Sequence, residues 1–178
     1  MLDDYPELLG RVSLVQIAVA SRVEISDYQD LDREMEKLVE EINARHGTPA
    51  WRPIIFLREH LDLKTVVAWY RAADVCVVSS VQDGMNLVAK EYVASQRGLL
   101  GVLLLSQFAG AAEELEGALL INPYDEASLA RSLHVGLTMG PKERKLRLGV
   151  MQRHLATHTV HDWMKGIFKD VRKLRGRR

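Results

Sequence analysis

A short polar turn holds the side chains best suited to chemistry. Residues 79–86 read Ser-Ser-Val-Gln-Asp-Gly-Met-Asn, and they lie between a strand-like run at 75–78 and a helix-like run at 87–96. Asp83 and Asn86 are the polar groups nearest the start of that helix. In an open parallel α/β sheet, a turn that follows a strand lies at the carboxyl edge, where ligands bind. The pattern therefore predicts a ligand site at this turn.

The chemistry expected at the turn is the binding of a polar anion. Asn86 is a predicted N-cap, which leaves the amides of Leu87 and Val88 without partners inside the helix. Free amides at a helix N-terminus attract anions, above all phosphates. Glu91 lies one turn further and can accept hydrogen bonds from hydroxyl groups, and Asp83 can point at a polar substrate. An ordinary turn with a capped, solvated helix explains the same residues, so both readings stay open here.

Composition narrows the class of protein. The chain has 178 residues, 47% of them hydrophobic, with 24 basic and 24 acidic side chains. A net charge of zero gives no general reason to expect a nucleic acid or an acidic membrane as a partner. Cys76 is the only cysteine, so no intrachain disulfide forms, and we expect it in the core. Without a signal-peptide pattern or a membrane-spanning apolar run, we expect a cytoplasmic location.

Apolar runs alternate with amphipathic segments along the whole chain. This alternation predicts an α/β fold, with a Rossmann-like, mostly parallel sheet flanked by helices. In the first helix we expect an inward stripe that includes Leu31 and Leu38, and in the last an apolar face with Trp163 and Phe168. The predicted strands are 12–19, 53–57, 75–79, 101–105 and 118–121, and the predicted helices are 27–43, 63–73, 87–96, 126–139, 142–154 and 160–174, with a further helix start after residue 106.

Several motifs of well-known enzymes are absent from the sequence. No Gly-rich phosphate-binding fingerprint follows a strand, and no Gly-x-Ser-x-Gly segment occurs. His154, His158 and His161 have helical spacing, but no cysteine or acidic pattern accompanies them. We therefore interpret them as surface histidines and expect no metal site.

Segments throughout the chain are similar to one enzyme family. The most specific of them is the run Asp-Gly-Met-Asn-Leu-Val-Ala-Lys-Glu at 83–91. The similarity extends from Tyr5 to Val171, and the segments that carry it are 14–22, 28–29, 42–43, 46–47, Trp51, 70–75, 83–94, 105–111 and 122–125. Together they resemble the C-terminal domain of the trehalose-6-phosphate synthases, which are retaining glycosyltransferases of the GT-B fold.

The resemblance implies an activity and a domain arrangement. Members of the family have two Rossmann-like domains and transfer glucose from a nucleotide donor, usually UDP-glucose, to glucose 6-phosphate. The anomeric configuration is retained, no metal or other cofactor is needed, and the product is trehalose 6-phosphate. By this resemblance, residues 1–178 form the C-terminal nucleotide-sugar-binding domain. Its last helix, at about 160–174, would pack back toward an N-terminal domain.

The resemblance also implies roles for individual residues. Asp83 would be the catalytic residue that contacts the transferred glucose, and Glu91 would bind the ribose hydroxyls. Arg22 would bind the phosphate of the acceptor. The remaining donor-binding positions are the backbone of Gly84, Met85 and Asn86, the amides of Leu87 and Val88, and Leu61 beside the uracil.

The chain departs from the family pattern in ways that affect these expectations. The family carries an Arg- and Lys-bearing strand before the point where this sequence begins, and a whole acceptor-binding domain as well. That strand would lie between the strands at 12–19 and 75–79. We therefore expect an interrupted sheet, a strand supplied by another chain, or low stability. At 79–82, Ser-Ser-Val-Gln replaces the usual Thr-Pro-Leu-Arg, which removes one positive charge near the donor.

Three hypotheses about function remain open from the sequence. The first is the donor-binding part of a trehalose-6-phosphate synthase, inactive by itself and completed by a missing N-terminal half. The second is a non-catalytic module that binds nucleotide sugar or another protein, including a second copy of itself. The third is a related transferase, such as a glucosylglycerol-phosphate synthase, with another acceptor.

Overall fold

The computed structural model of the chain describes residues 1–18, 26–98 and 100–175. The chain divides into two units, Met1–Leu63 and Lys64–Arg178. The sequence suggested one domain over 1–178, and that expectation stays a prediction.

The first unit is built on two parallel strands joined by a long helix. Strand β1 pairs in parallel with β2, so that Leu14 lies opposite Ile54. The Asn43 side chain fixes the end of the helix to β2, because its Oδ1 accepts from Ile54 N at 2.9 Å and its Nδ2 donates to Ile54 O at 3.0 Å. The elements in chain order are a 3₁₀ helix at Pro6–Leu8, β1 at Leu14–Ile17, α1 at Ser26–His46 and β2 at Ile54–Leu57.

The second unit contains a three-stranded parallel sheet in the order β3-β4-β5. Helix α2, at Leu63–Ala72, begins at the boundary between the units. The elements that follow are β3 at Val75–Val78, α3 at Leu87–Ser95, β4 at Val102–Ser106, a 3₁₀ helix at Gly110–Glu113, β5 at Leu119–Ile121, α4 at Glu126–Thr138, α5 at Pro141–Thr157 and α6 at Val160–Arg175.

The core of the second unit surrounds β4, whose five residues are all buried. Leu103 and Leu105 face a cluster formed with α3 and α5, to which Tyr92 and Leu148 belong. The alternate residues of β4 face a second cluster, formed with Ile121 of β5 and residues of α4. A central parallel strand is covered on both faces, which explains its unbroken apolar sequence.

A buried arginine holds several chain segments of the second unit together. Arg144, in the first turns of α5, is 9% exposed. Its guanidinium donates to five backbone carbonyls at 2.8–3.3 Å, and they belong to Asp74, Leu100, Gly136, Leu137 and Met139. Two of these carbonyls lie in the last turn of α4, where a cation also interacts favourably with the helix dipole.

The expected fold class is confirmed, and the strands lie where the sequence predicts them. Within the described ranges the strands form two separate sheets, and β1 and β3 each pair with a single neighbour, in agreement with the expected interruption. A supplied strand and low stability stay predictions. No helix of the described part is long and apolar enough to cross a membrane.

Two details of the sequence interpretation are wrong. Leu31 and Leu38 are 53% and 54% exposed, so the expected inward stripe of α1 does not bury them. The helix expected after residue 106 is only a four-residue 3₁₀ helix. Periodicity shows which residues share a helix face, but tertiary packing decides how much of that face is covered.

Candidate functional site

The turn at Asp83–Asn86 is held by backbone hydrogen bonds to the segment that follows β4. Asp83 N donates to Phe108 O at 3.3 Å, Gly110 N donates to Asp83 O at 2.9 Å, and Ala111 N donates to Met85 O at 2.7 Å. Both segments follow neighbouring parallel strands, whose carboxyl ends meet at one edge of the sheet. The turn therefore has a fixed backbone.

Two glycines give this turn its shape and its accessibility. A Cβ at Gly110 would lie 2.2 Å from Gly84 O, so only glycine permits the two segments to approach so closely. No atom lies within 4 Å of where a Cβ at Gly84 would be, apart from its immediate neighbours. The turn is thus packed on the side of Gly110 and open at Gly84.

The Asp83 carboxylate is oriented by two hydrogen bonds. Its Oδ1 accepts from Met85 N and its Oδ2 accepts from Asn86 Nδ2, both at 3.0 Å. These donors, with Met85 N first, lower the pKa of Asp83 below its ordinary value of 3.8. Asp83 is therefore ionised at neutral pH and can accept hydrogen bonds from hydroxyl groups.

Asn86 connects this carboxylate to the start of α3. It is 9% exposed, has a φ of 77°, and its Oδ1 accepts from Ala89 N at 2.9 Å. Its Nδ2 also donates to Ser80 Oγ at 3.2 Å. The predicted N-cap is therefore present. Asn is one of the few residues other than Gly that adopt a positive φ readily.

The first amides of α3 are available for an anion. Leu87 and Val88 are exposed, and in the part of the chain described here their amides have no acceptor. The positive end of the helix dipole is at the same place. The geometry is that of an anion-binding helix N-terminus beside an ionised carboxylate.

Glu91 has a partner that the sequence did not suggest. Tyr70 Oη donates to Glu91 Oε2 at 3.3 Å, and the Tyr70 ring packs edge to face on Tyr92 with centroids 6.1 Å apart. Burial first, and then the charge of Glu91, raise the pKa of Tyr70 to about 12, so its hydroxyl stays a donor. Tyr70 thus orients an exposed carboxylate near the free amides.

Not every predicted residue belongs to the described part of the second unit. Leu61 is half-buried and belongs to the first unit, between β2 and α2. Arg22 lies outside the described residues. The other predicted residues, Asp83, Gly84, Met85, Asn86, Leu87, Val88 and Glu91, all lie in the turn or the first turns of α3.

The three histidines of the sequence analysis do not form a metal site. His154 and His158 stack with ring centroids 4.0 Å apart, and His154 Nε2 lies 3.4 Å from Glu114 Oε2. The acidic neighbour comes from a distant segment, which the sequence could not indicate. Within the described residues, no group of three or more His, Cys, Asp or Glu side chains could hold a metal ion.

Sequence reasoning missed the residues that support the site. Tyr70 orients Glu91, and the segment from Phe108 to Ala111 holds the turn. The only sequence signal for that segment was its place in the family resemblance, which carried no role for it.

Fold and site together define an α/β protein with an oriented carboxylate beside a helix N-terminus whose first amides are free. The chain belongs to glycosyltransferase family 20, whose family model matches residues 1–173. It is 39% identical over 173 residues to the UDP-forming alpha,alpha-trehalose-phosphate synthase of Botryotinia fuckeliana, and 40% identical to that of Schizosaccharomyces pombe. These alignments cover 97% of this chain but only 33% and 34% of those proteins.

Solved structures show the same similarity. An E. coli trehalose-6-phosphate structure bound with UDP-2-fluoro glucose matches with a TM-score of 0.90 at 40% identity, over 95% of this chain and 38% of that one. A synthase from Burkholderia xenovorans in complex with glucose-6-phosphate matches with a TM-score of 0.91 at 37% identity, over 96% and 38%. The expected assignment to the GT-B class is confirmed. The chain spans about a third of the length of the curated relatives that it matches.

Proposed function

We propose that the chain is the donor-binding part of a trehalose-6-phosphate synthase, which transfers glucose from UDP-glucose to glucose 6-phosphate with retention. The observation that carries this proposal is the fixed turn at Asp83–Asn86, which ends at the free amides of Leu87 and Val88. Membership of glycosyltransferase family 20 supports the reaction class. The names of the relatives, which are UDP-forming synthases, support the donor and the product.

The free amides bind the diphosphate of the donor. As the glycosidic bond breaks, negative charge develops on the leaving UDP. Amides that already point at that position stabilise the charge without reorganising. The dipole of α3 adds to this stabilisation. No metal or other cofactor is part of the proposal.

The two carboxylates bind hydroxyl groups of the donor. Asp83, ionised and held by Met85 N and Asn86, accepts from hydroxyls of the transferred glucose at the open side of Gly84. Glu91, oriented by Tyr70, accepts from the ribose hydroxyls. The backbone of residues 84–86 completes the contact with the sugar.

Two further roles rest on the resemblance alone. We propose that Leu61 packs against the uracil and that Arg22 binds the phosphate of glucose 6-phosphate through its planar fork of donors. A cytoplasmic location is part of the same proposal.

Helix α6 supports the proposed domain role of residues 1–178. Its apolar side chains are exposed, and Trp163, Phe168 and Leu174 are 61%, 58% and 68% accessible. An amphipathic helix with such a face packs against another surface. We propose that this surface is an N-terminal, acceptor-binding domain, and that the chain alone binds donor weakly and does not transfer glucose.

Calorimetric titration with UDP and with 2′-deoxy-UDP tests the donor site. Removal of a hydrogen bond to a charged group costs about 1.5–3 kcal/mol, so Glu91→Ala should weaken UDP binding about tenfold to hundredfold. The same change should affect 2′-deoxy-UDP less, because that ligand lacks one hydroxyl. Glu116→Ala, at an exposed acid outside the site, is the matched control. A folded chain that does not bind UDP, or a Glu91→Ala variant that binds it normally, would contradict the proposal.

A second function is favoured by the exposed face of α6. In this alternative the chain is a non-catalytic module that docks on another protein through that face. Sedimentation experiments distinguish the donor-binding function from the docking function. Association that depends on concentration and on Trp163, with no UDP binding, would favour docking.

A further inference from the structure

Glu114 lies between two helices of the second unit, outside the turn that carries Asp83. Its Oε2 is 2.8 Å from Lys90 Nζ on α3 and 3.4 Å from His154 Nε2 on α5. The three side chains are 39%, 21% and 24% exposed, so the cluster is only partly in contact with solvent. Lys90 comes first among the groups that lower the pKa of Glu114. These contacts join α3, α5 and the end of the 3₁₀ helix.

Glu114 is connected through backbone hydrogen bonds to the turn of the candidate site. Glu114 N and Leu115 N both donate to Ala111 O, at 3.1 and 2.9 Å, and Leu115 is fully buried. Ala111 N in turn donates to Met85 O at 2.7 Å, while Gly110 N donates to the carbonyl of Asp83. Glu114 therefore directly follows the 3₁₀ helix whose first two residues, Gly110 and Ala111, hold the turn.

Lys90 belongs to the same helix as the free amides of Leu87 and Val88. Lys90 is the fourth residue of α3, and it precedes Glu91. Tyr70 holds Glu91, while Glu114 holds the side chain of Lys90. The first turns of α3 are thus tied to other segments through two neighbouring side chains.

We propose that Glu114 is a positioning residue of the donor site, which sets the turn at Asp83–Asn86 relative to the first turn of α3 through its ion pair with Lys90. His154 steadies the Glu114 carboxylate from α5. This inference rests on the proposed function, since the positioned groups are those assigned to the nucleotide sugar. Partly exposed ion pairs contribute little to stability, but a short pair between two segments restricts their relative movement.

The test compares Glu114→Gln, Lys90→Met and the double variant with the wild-type chain. Glu113→Gln is the matched control, because it removes the same charge from the neighbouring, exposed position. The first measurement is hydrogen exchange at the amides of Gly110 and Ala111, which needs no ligand. The second is the affinity for UDP by calorimetry.

We expect Glu114→Gln and Lys90→Met each to speed exchange at both amides, and to weaken UDP binding, by about threefold to tenfold. Because Lys90 acts through its contact with Glu114, the double variant should be no worse than the more affected of the two single variants. Glu113→Gln should match the wild type in both measurements.

Unchanged exchange at Gly110 and Ala111 in Glu114→Gln would overturn the inference. Equally faster exchange throughout the second unit would overturn it too, because that result indicates a purely structural role. If the wild-type chain does not bind UDP, the proposed function fails, and the exchange measurement decides the positioning role by itself.

Discussion

Replacement of Asn86 separates the two reasons for which an asparagine is required at this position. Asn86 caps α3 through Ala89 N and donates to Asp83 and Ser80, while its φ of 77° is unfavourable for most residues. Alanine loses the side-chain hydrogen bonds and also introduces a backbone penalty, because it adopts a positive φ less readily than asparagine does. Glycine loses the same hydrogen bonds but adopts the positive φ without strain.

The expected loss of stability on replacement of Asn86 is the sum of these contributions. Loss of the cap costs about 1 kcal/mol, and loss of the two bonds donated by Nδ2, which is only partly buried, costs about 1 kcal/mol together. A positive φ costs a residue such as alanine about 1–2 kcal/mol. We therefore expect the Asn86→Ala variant to lose about 3 kcal/mol of stability in the second unit, and Asn86→Gly to lose about 1–2 kcal/mol less than that.

Native-state hydrogen exchange measures the stability of the second unit in each variant directly. The amide of Val93, a fully buried residue of α3, reports the free energy of opening of the second unit. Asn86→Asp is an informative third variant, because it keeps an acceptor for Ala89 N but places a second carboxylate near Oδ2 of Asp83. We expect it to be less stable at pH 7 than at pH 4. Equal stabilities of the alanine and glycine variants would refute the argument from φ, and a loss below about 1 kcal/mol in both would refute the argument from the cap.

Three further predictions concern the same unit. Arg144→Met should destabilise it by about 1–3 kcal/mol in urea denaturation, because it removes the donor shared by five backbone carbonyls, of which that of Gly136 is buried, whereas the exposed Lys145→Met should change stability by less than about 0.5 kcal/mol. Gly110→Ala should destabilise it by about 1–3 kcal/mol and weaken UDP binding, because the new Cβ meets the backbone of Gly84. In an NMR titration, the pKa of Asp83 should be below 3.8 in the wild type and rise toward it in Asn86→Ala. Since this pKa is lowered by folding, the stability that it contributes is present above pH 3.8 and is lost as the pH falls further.

Each of these predictions has a contrary result. Equal urea midpoints for Arg144→Met and Lys145→Met would contradict the role of the buried guanidinium. Gly166→Ala is the control for position 110, because no atom lies within 4 Å of the new Cβ. A Gly110→Ala variant that is as stable as Gly166→Ala would show that the segments around Gly84 and Gly110 can separate. An Asp83 pKa that does not respond to the loss of Asn86 would show that the hydrogen bond to Nδ2 is weak in solution.

The local structure of the chain can be predicted from its sequence alone. The apolar run of β4 and the periodic helices follow from residues a few positions apart, so their types and approximate bounds were predictable. Asn86 as the N-cap was predictable for the same reason, because a cap and the amide that it accepts from are three residues apart. Those two features were enough to indicate an anion site before α3.

Which distant groups meet at that site depends on the tertiary fold. Tyr70 and Glu91 are 21 residues apart, and Lys90 and Glu114 are 24 residues apart. The Gly110 contact with Gly84 depends on the register of β3 and β4, and no short-range pattern specifies that register. Local patterns determine the backbone of each element, but the pairing of the strands and the packing of the helices determine which side chains come into contact. The contacts that support the site can therefore be identified only from the folded structure.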